Sequence, residues 1–332
     1  MSITIAFFDT KPYDEISFKQ TNEHFGFNFR FHKGQLNPEN VILTKDCDVV
    51  CIFVNADVTA MVIDELVNNG VKLIALRCAG FNNVDLSAAK NRIKVVRVPA
   101  YSPYAVAEHT LALMLTLNRK IHKAYNRTRE GNFSLNGLMG FDMHAKTVGI
   151  IGTGKIAKIL IQTLRGMGMN ILAYDLFPDL EFAKLNSVEY TSLESLYREA
   201  DIITLHCPLT KETEYIIDED SIAKMKDNVM IINTGRGKLI HTYALIKGLK
   251  SKKIGSAGLD VYEEEGDYFF EDRSNNVMDD DVLARLLSFN NVIVTSHQAF
   301  FTKEAMENIA EITLQNIQDF SDGKTLINEV TK

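Results

Sequence analysis

Three ionisable side chains in the second half of the sequence are of types that can bind an anion and transfer a proton. Arg236, Glu265 and His297 each follow an apolar, strand-like run. Arginine offers a bidentate fork for a carboxylate, and histidine can donate and regain a proton near neutral pH. A carboxylate beside the histidine would favour the protonated imidazole and orient it. We therefore take these three residues as the candidate catalytic set.

Each of these residues, considered alone, also has an interpretation without chemistry. Arg236 lies between two glycines and could simply cap the next helix, while Glu265 ends the acidic run 263–265, which is typical of a solvated surface. His297 could be a satisfied histidine at a strand end. The joint pattern favours the chemical interpretation, because ligands of doubly wound sheets bind beyond the carboxyl ends of the strands.

A glycine-rich turn provides a candidate phosphate site. Gly152 and Gly154 stand between an apolar run and a helical pattern, and Ala157 takes the third small position of the dinucleotide-binding fingerprint. Gly152 permits a tight turn, and Gly154 lets a pyrophosphate approach the N-terminus of the helix. Asp175 follows about 20 residues later, where a carboxylate binds ribose hydroxyls and repels a 2′-phosphate. Alone, Asp175 could be a turn residue, but the combined pattern predicts NAD as the cofactor.

The elements that must position these residues alternate between strands and helices. Apolar runs predict strands at 3–8, 48–54, 71–76, 94–98, 147–151, 170–174, 201–205, 229–232, 255–259 and 292–295. Helical patterns cover 59–69, 103–130 and 303–319, and the polar stretch 266–281 predicts a surface loop. Short apolar strands separated by helices predict an α/β fold with mostly parallel sheets. The six later strands are the number expected of a doubly wound dinucleotide-binding domain.

Composition restricts the classes of protein further. The chain has 332 residues, a length that suggests two domains. Its formal net charge of −7 disfavours general binding to nucleic acid or anionic membranes. No apolar run reaches the length of about 18 residues that a spanning helix needs, and the N-terminal sequence has no signal-peptide pattern. The four cysteines, Cys47, Cys51, Cys78 and Cys207, form no Cys-x-x-Cys pair. We expect reduced thiols, no metal site and a cytoplasmic protein.

The chain resembles a known family over nearly its whole length. The matching blocks are 76–85 (LRCAGFNNVD), 97–109 (RVPAYSPYAVAEH), 149–156 (GIIGTGKI), 205–210 (LHCPLT), 232–237 (INTGRG), 259–265 (LDVYEEE) and 296–300 (SHQAF). In these blocks the chain is similar to the NAD-dependent D-2-hydroxyacid dehydrogenases, and within them most similar to the bacterial fermentative D-lactate dehydrogenases. The departures, Ala157 and Lys155, are small.

The resemblance implies a role for each site residue. Arg236 would bind and polarise the substrate, His297 would be the acid/base, and Glu265 would pair with His297. At the substrate, the backbone amides of Cys78 and Ala79 would hold the carboxylate, Tyr101 would line the pocket and Phe300 would lie near it. The implied cofactor contacts are Gly152, Thr153, Gly154, Lys155 and Ile156 at the pyrophosphate, Asp175 at the ribose, His206, Cys207 and Pro208 on the adenine side, and Asn233, Thr234 and Asp260 towards the nicotinamide.

The resemblance also implies the organisation and activity of the molecule. A flavodoxin-like substrate domain would combine 1–101 with 299–332, and a Rossmann NAD-binding domain would span 102–298. The cleft would close on binding, and the 103–130 helix would lie at a contact in a homodimer or dimer of dimers. The implied reaction interconverts pyruvate and D-lactate. Two alternatives stay open: a related dehydrogenase for larger 2-keto acids, and a nicotinamide-sensing binding protein on the same scaffold.

Overall fold

The chain divides into two units, each built on its own parallel sheet. The computed structural model describes residues 3–265 and 268–330. The first unit comprises residues 1–102 and 301–332, and the second comprises residues 103–300. The C-terminal segment therefore returns to the unit that contains the N-terminus.

A five-stranded sheet forms the centre of the first unit. Its strands are β1 (Thr4–Phe7), β2 (Asn28–Phe31), β3 (Val49–Ile52), β4 (Leu73–Leu76) and β5 (Lys94–Arg97). All neighbours pair in parallel, in the order β2-β1-β3-β4-β5, which is the flavodoxin-like order. The helices α1 (Pro12–Thr21), α2 (Ala60–Asn68) and α3 (Leu86–Ala89) connect these strands. Strands β3 and β4 are buried at every position, because helices cover both faces of such a sheet.

A seven-stranded parallel sheet forms the centre of the second unit. Its elements are α4 (Pro103–Arg119), α5 (Ile121–Arg129), β6 (Thr147–Ile151), α6 (Lys155–Gly166), β7 (Asn170–Tyr174), α7 (Leu180–Asn186), β8 (Val188–Tyr190), α8 (Leu193–Glu199), β9 (Ile202–Leu205), α9 (Glu219–Lys224), β10 (Val229–Asn233), α10 (Thr242–Lys250), β11 (Ile254–Leu259), α11 (Asp281–Leu287) and β12 (Val292–Val294). The order is β12-β11-β10-β9-β6-β7-β8. Strands β7 and β8 are added on one side of β6, and strands β9 to β12 are added on its other side. The boundary between β6 and β9 is therefore the topological switch point of a Rossmann fold. The fold prediction is confirmed.

Two strands of these sheets are missing from the sequence prediction. Strand β2 and strand β8 each lie at an edge and pair with one neighbour only. Their residues are at most partly buried, since an edge strand is covered less completely than a central one. The continuous apolar run that identified the other strands is therefore absent from both.

The helix predicted at 103–130 is interrupted. Lys120 adopts a left-handed backbone conformation, with φ of 51°, between α4 and α5. Just before it, the Asn118 amide accepts from the Phe141 N–H and donates to the Phe141 carbonyl, both at 2.8 Å. The Lys120 ammonium also donates to the carbonyl of Met139. The prediction of one continuous helix is wrong because side chains at the end of α4 bind the loop that follows α5.

The last helix, α12 (Lys303–Ser321), belongs to the first unit. Its first turn is capped by the Thr302 hydroxyl, which accepts from the Ala305 N–H at 3.2 Å. The Ser17 hydroxyl of α1 donates to the Met306 carbonyl at 3.0 Å, and the Asn316 amide donates to the Arg97 carbonyl at 3.0 Å. These bonds attach α12 to α1 and to the end of β5.

The polar stretch 266–281 is only partly a surface loop. Its first two residues lie outside the described residues. Phe269 is buried, and Asp281 already belongs to α11, which the Asp280 carboxylate caps by accepting from the Val282 and Leu283 N–H groups. Of the helices in the described ranges, none is both long and apolar enough for a membrane crossing.

Candidate active site

The turn between β6 and α6 requires glycine at position 152. Gly152 has a φ of 91°, and a Cβ there would lie 2.5 Å from the Cys207 backbone nitrogen. The Gly152 N–H donates to the Tyr174 carbonyl at 2.8 Å. The turn therefore packs directly against the chain that follows β9, and no larger residue fits between them.

The N-terminus of α6 is shaped for an anion. Gly154 is the N-cap residue, no side chain caps the helix, and a Cβ on Gly154 would have no neighbour within 4 Å. The first N–H groups of a helix, here those of Lys155, Ile156 and Ala157, have no partner within the helix and attract negative charge. Ala157 is fully buried, which explains the small residue at this position. This turn fits the pyrophosphate of a dinucleotide.

Asp175 is held at the end of β7 by a network of hydrogen bonds. Its Oδ2 accepts from the Thr153 N–H at 2.6 Å and from the Thr153 hydroxyl at 2.8 Å, and its Oδ1 accepts from the Phe177 N–H at 2.9 Å. Burial raises the pKa of Asp175, but these hydrogen bonds outweigh it and keep the pKa below its ordinary value. An ionised carboxylate at this position suits the ribose hydroxyls of NAD.

Tyr190 extends this network and is absent from the sequence prediction. Its hydroxyl donates to the Thr153 hydroxyl oxygen at 2.9 Å and accepts from the Asp179 N–H at 3.1 Å. Tyr190 ends β8, the edge strand without an apolar run. The residue could be recognised only once β8 was known to pair with β7.

The segment after β9 places the predicted adenine-side residues next to the glycine turn. The His206 Nε2 lies 3.0 Å from the Thr204 hydroxyl, and burial lowers the pKa of His206 to about 4. Burial also raises the pKa of Cys207 to about 11, so the imidazole and the thiol are both uncharged near neutral pH. Pro208 is exposed. The pair β6–β9 is the switch point, where dinucleotides bind in such sheets.

Arg236 does not cap a helix. It precedes a single 3₁₀ turn, 237–239, and its side chain makes no capping bond; its Nη1 donates to the Gly235 carbonyl at 2.8 Å. Asn233 is fully buried, accepts from the Gly235 N–H at 3.0 Å and donates to the Arg236 carbonyl at 2.9 Å. The Thr234 hydroxyl lies 2.9 Å from the Thr110 hydroxyl of α4. Hydrogen bonds within the loop after β10 and to α4 thus hold the residues just before the guanidinium.

Gly237 brings the arginine loop against the segment that carries the acidic residue. A Cβ on Gly237 would lie 1.9 Å from the Tyr262 carbonyl oxygen and 2.6 Å from the Glu263 nitrogen. The Tyr262 N–H in turn donates to the Glu265 Oε1 at 3.0 Å. The loops after β10 and β11 are therefore in backbone contact, and only glycine permits this approach.

Glu265 and His297 form a hydrogen-bonded pair. The Glu265 Oε2 lies 2.7 Å from the His297 Nδ1, and the two side chains are 17% and 21% exposed. This bond leaves Nε2 of the imidazole for a proton transfer. A carboxylate on Nδ1 holds the ring in one orientation. A hydrogen-bonded carboxylate–imidazole pair therefore follows the ends of β11 and β12, beside the loop that carries Arg236.

His297 occupies an unusual backbone conformation that Asp260 supports. Its φ is 54°, in the left-handed region, which is uncommon for a residue other than glycine. The Asp260 carbonyl accepts from the His297 N–H at 2.7 Å, and its two carboxylate oxygens accept from the N–H groups of Gln298 and Ala299 at 2.9 Å each. Asp260 therefore holds three consecutive amides of the turn that presents the imidazole.

The side chain of Asp260 is fully buried and has two further partners. The Thr295 hydroxyl donates to its Oδ1 at 2.5 Å, and the His109 Nε2 of α4 lies 3.1 Å from that hydroxyl and 3.4 Å from Oδ1. Burial raises the pKa of Asp260, but the bonds from His109, Thr295 and Ala299 keep it below its ordinary value. The carboxylate oxygens and the carbonyl of Asp260 bind the His297 turn, and the position of Asp260 towards the nicotinamide stays a prediction. Thr295 and His109 were not among the predicted site residues. His109 ends the family block 97–109, and Thr295 directly precedes the block 296–300.

The predicted substrate residues are divided between the two units. Cys78, Ala79 and Tyr101 belong to the first unit, and Phe300 is the last residue of the second, where it is buried. The Cys78 carbonyl accepts from the Val98 N–H at 3.1 Å. The Tyr101 carbonyl accepts from the Asn308 amide at 2.7 Å.

Comparison with known proteins defines the family. A family model described as the D-isomer specific 2-hydroxyacid dehydrogenase NAD binding domain matches residues 111–299. The chain is 52% identical over 327 residues to D-lactate dehydrogenase of Escherichia coli K12, with 98% of this chain and 99% of that protein covered. The apo-structure of D-lactate dehydrogenase from Escherichia coli has a TM-score of 0.91 at 49% identity and covers 99% of this chain and 100% of that one. The structure of the pyruvate reductase of Chlamydomonas reinhardtii has a TM-score of 0.93 at 42% identity, with 98% of both chains covered.

The family model matches residues 111–299, which lie within the second unit, where the glycine turn and Asp175 are found. The chain belongs to the D-isomer specific 2-hydroxyacid dehydrogenase family. It is an NAD-dependent oxidoreductase, and its second unit contains the NAD-binding domain of that family.

Proposed function

We propose that the protein catalyses the reversible reduction of pyruvate to D-lactate with NADH. The observation that carries the proposal is the 2.7 Å bond between the Glu265 carboxylate and the His297 imidazole, beside the loop that carries Arg236. Relatives of high identity over the full length are D-lactate dehydrogenases, and a structural neighbour is a pyruvate reductase. These similarities support both the substrate and the D configuration of the product.

In this proposal the residues of the chain bind the substrate and move one proton. Bound NADH supplies the hydride to the carbonyl carbon. The Arg236 guanidinium binds the substrate carboxylate and polarises the carbonyl. The Nε2 of protonated His297 donates its proton to the carbonyl oxygen, and Glu265 stabilises the imidazolium before the transfer. In lactate oxidation the neutral imidazole accepts the hydroxyl proton at the same nitrogen.

The first unit is proposed to contribute the remaining carboxylate contacts. The backbone amides of Cys78 and Ala79 would bind the substrate carboxylate, with Tyr101 and Phe300 contacting the substrate. Among the described residues, the Ala79 N–H has no hydrogen-bond acceptor, while its neighbouring carbonyl groups are both occupied. An unpaired amide on a fixed loop is a suitable donor to an anion.

An NADH absorbance assay with pyruvate, 2-ketobutyrate and longer 2-keto acids tests the function. We expect pyruvate to give the highest kcat/KM. A clear preference for a longer keto acid would replace pyruvate as the substrate. NADH binding without turnover of any of these acids would indicate a nicotinamide-sensing protein and contradict the proposal.

Two variants test the catalytic set. His297→Gln should lower kcat by about a hundredfold or more, since general acid catalysis contributes about 10²–10⁴-fold, and Arg236→Gln should chiefly raise KM for pyruvate. His24→Gln, at an exposed position of the first unit, is the matched control. Wild-type kinetics in both site variants would refute the assignment.

We also propose that the protein acts in the cytoplasm as a homodimer or a dimer of dimers. Apolar side chains on α5 and in the loop after it are largely exposed in the single chain: Ile121, Tyr125, Phe133, Leu135 and Met139. Such a group of side chains is typical of a surface that another subunit covers. The four free thiols fit a reducing compartment. Light scattering of the purified protein would give the number of subunits, and a monomer would contradict the assembly.

A further inference from the structure

Arg77 is a buried cation immediately before the proposed carboxylate-binding amides. Its side chain is 2% exposed. Its Nη1 donates to the Phe8 carbonyl at 3.1 Å, and its Nη2 donates to the Asp9 carbonyl at 2.6 Å. The guanidinium also lies 4.6 Å from the centre of the Phe7 ring and 4.8 Å from that of the Phe53 ring.

These contacts join the carboxyl ends of three adjacent strands. Arg77 follows β4, Phe53 follows β3, and Phe8 with Asp9 follow β1, so the guanidinium reaches across β3 to the far neighbour. An arginine can do this because its planar fork donates to two carbonyls at once and its face packs on aromatic rings. The carboxyl edge of such a sheet is the edge where ligands bind.

The partner of the charge is a buried carboxylate on α1. The Arg77 Nη2 lies 3.5 Å from the Asp14 Oδ2, and the same oxygen accepts from the Lys11 N–H at 3.1 Å at the start of α1. Asp9, whose carbonyl binds Arg77, has a φ of 54°. The guanidinium thus stabilises a turn in the left-handed conformation and ties it to β4.

The proposed substrate loop follows Arg77 directly and is fixed on its other side by β5. The Val98 N–H holds the Cys78 carbonyl at 3.1 Å, and the Arg97 Nη1 holds the Ala79 carbonyl at 2.8 Å. The C=O and N–H of a trans peptide point in opposite directions, so these bonds direct the Ala79 N–H away from β5. Arg77 fixes the start of the same loop.

We propose that Arg77 is a positioning residue for substrate binding, which orients the Cys78–Ala79 amides by fixing the start of the loop that carries them. The inference rests on the proposed function, because that function assigns the carboxylate to these amides. Lysine at position 77 would keep the charge but could not donate to both carbonyls with a fixed fork. The geometry of the loop, more than the charge alone, is the contribution of Arg77.

The test compares Arg77→Lys and Arg77→Met with Arg30→Lys as the matched control. Arg30 is an exposed arginine of the same unit whose Nη1 also donates to a backbone carbonyl, that of Lys45 at 2.8 Å. The measurements are KM for pyruvate, the Kd of oxamate (a non-reducible analogue) for the NADH-loaded protein, and the Kd of NADH. Oxamate binding reports on the loop without any turnover.

We expect Arg77→Lys to raise both KM and the oxamate Kd by about tenfold or more, since a small displacement of a binding group can cost up to about a hundredfold. Arg77→Met should raise them further, and the NADH Kd should stay at the wild-type value in both. If Arg77→Met fails to fold, Arg77→Lys decides. Unchanged KM and oxamate Kd in Arg77→Lys, or equal weakening of oxamate and NADH, would overturn the inference. Absence of turnover in the wild type would instead refute the proposed function.

Discussion

The left-handed backbone conformation of His297 determines where its imidazole lies. A left-handed conformation costs about 1–2 kcal/mol for a residue with a side chain, and it persists where surrounding bonds enforce it. The amides of residues 297–299 all bind Asp260. We therefore expect the buried carboxylate to affect catalysis through the position of the imidazole, while the bond from Glu265 to Nδ1 orients the ring.

Replacing Asp260 with asparagine tests this role. An asparagine amide presents one NH₂ group where the aspartate has an oxygen, so the Gln298 or Ala299 N–H would lose its acceptor. We expect kcat for pyruvate reduction to fall about ten- to hundredfold through displacement of His297, while the Kd of NADH changes little. Stopped-flow turnover and NADH fluorescence titration give the two quantities. Asp227→Asn, at an exposed carboxylate of the same unit, is the control, and wild-type kcat in Asp260→Asn would contradict the role.

At the residue scale, the sequence predicted which side chains stand at strand ends but not what holds them. Glu265 and His297 were identified because parallel strands present their carboxyl ends together. The bonds from Asp260 to three successive amides depend on the φ of His297, which no local pattern predicts. The engagement of Thr295 and His109 with the same carboxylate depends on the packing of α4 against β11 and β12, and packing of distant elements leaves no short-range signal.

At the scale of elements, apolar runs were sufficient for the central strands and for the edge strands β5 and β12, but not for the edge strands β2 and β8. Central strands such as β3, β4 and β9 are buried at every position. Nearly all their residues are therefore apolar, and the strand is visible in the sequence as an apolar run. The edge strand β8 lacks it and was missed, together with Tyr190. The break at Lys120 was missed for a different reason: it depends on bonds between Asn118 and Phe141, 23 residues apart.

The edge strand β8 is expected to support the cofactor site through Tyr190. Tyr190→Phe removes the hydroxyl that binds Thr153 and Asp179, and Thr153 would then hold Asp175 less firmly. Loss of one such hydrogen bond costs about 1 kcal/mol, so the Kd of NADH should rise about fivefold, with KM for pyruvate little affected at saturating NADH. Tyr243→Phe, at an exposed tyrosine of the second unit, is the control. An unchanged NADH Kd in Tyr190→Phe would remove Tyr190 from the cofactor site.

At the scale of the whole molecule, the pKa values of buried groups in the second unit predict loss of stability in acid. Burial lowers the pKa of His206 to about 4 from an ordinary value of 6.5, so between these values the unfolded chain binds a proton that the folded chain does not. The stability associated with neutral His206 is therefore present above pH 6.5 and is lost as the pH falls towards 4. The lowered pKa of Asp260 acts in the same direction, since its contribution is present above 3.8 and is lost below it.

His206→Gln separates the histidine from the carboxylates, because glutamine does not titrate. Between pH 6.5 and 4 the free energy of unfolding of the wild type should fall more steeply than that of the variant, by up to about 1.4 kcal/mol per pH unit. Urea unfolding of the cofactor-free protein at a series of pH values, followed by circular dichroism, gives both slopes. His24→Gln removes an exposed imidazole and should keep the wild-type slope. Equal slopes for wild type and His206→Gln would mean that His206 binds a proton as readily in the folded protein as in the unfolded chain, and the neutral imidazole beside Thr204 would have to be abandoned.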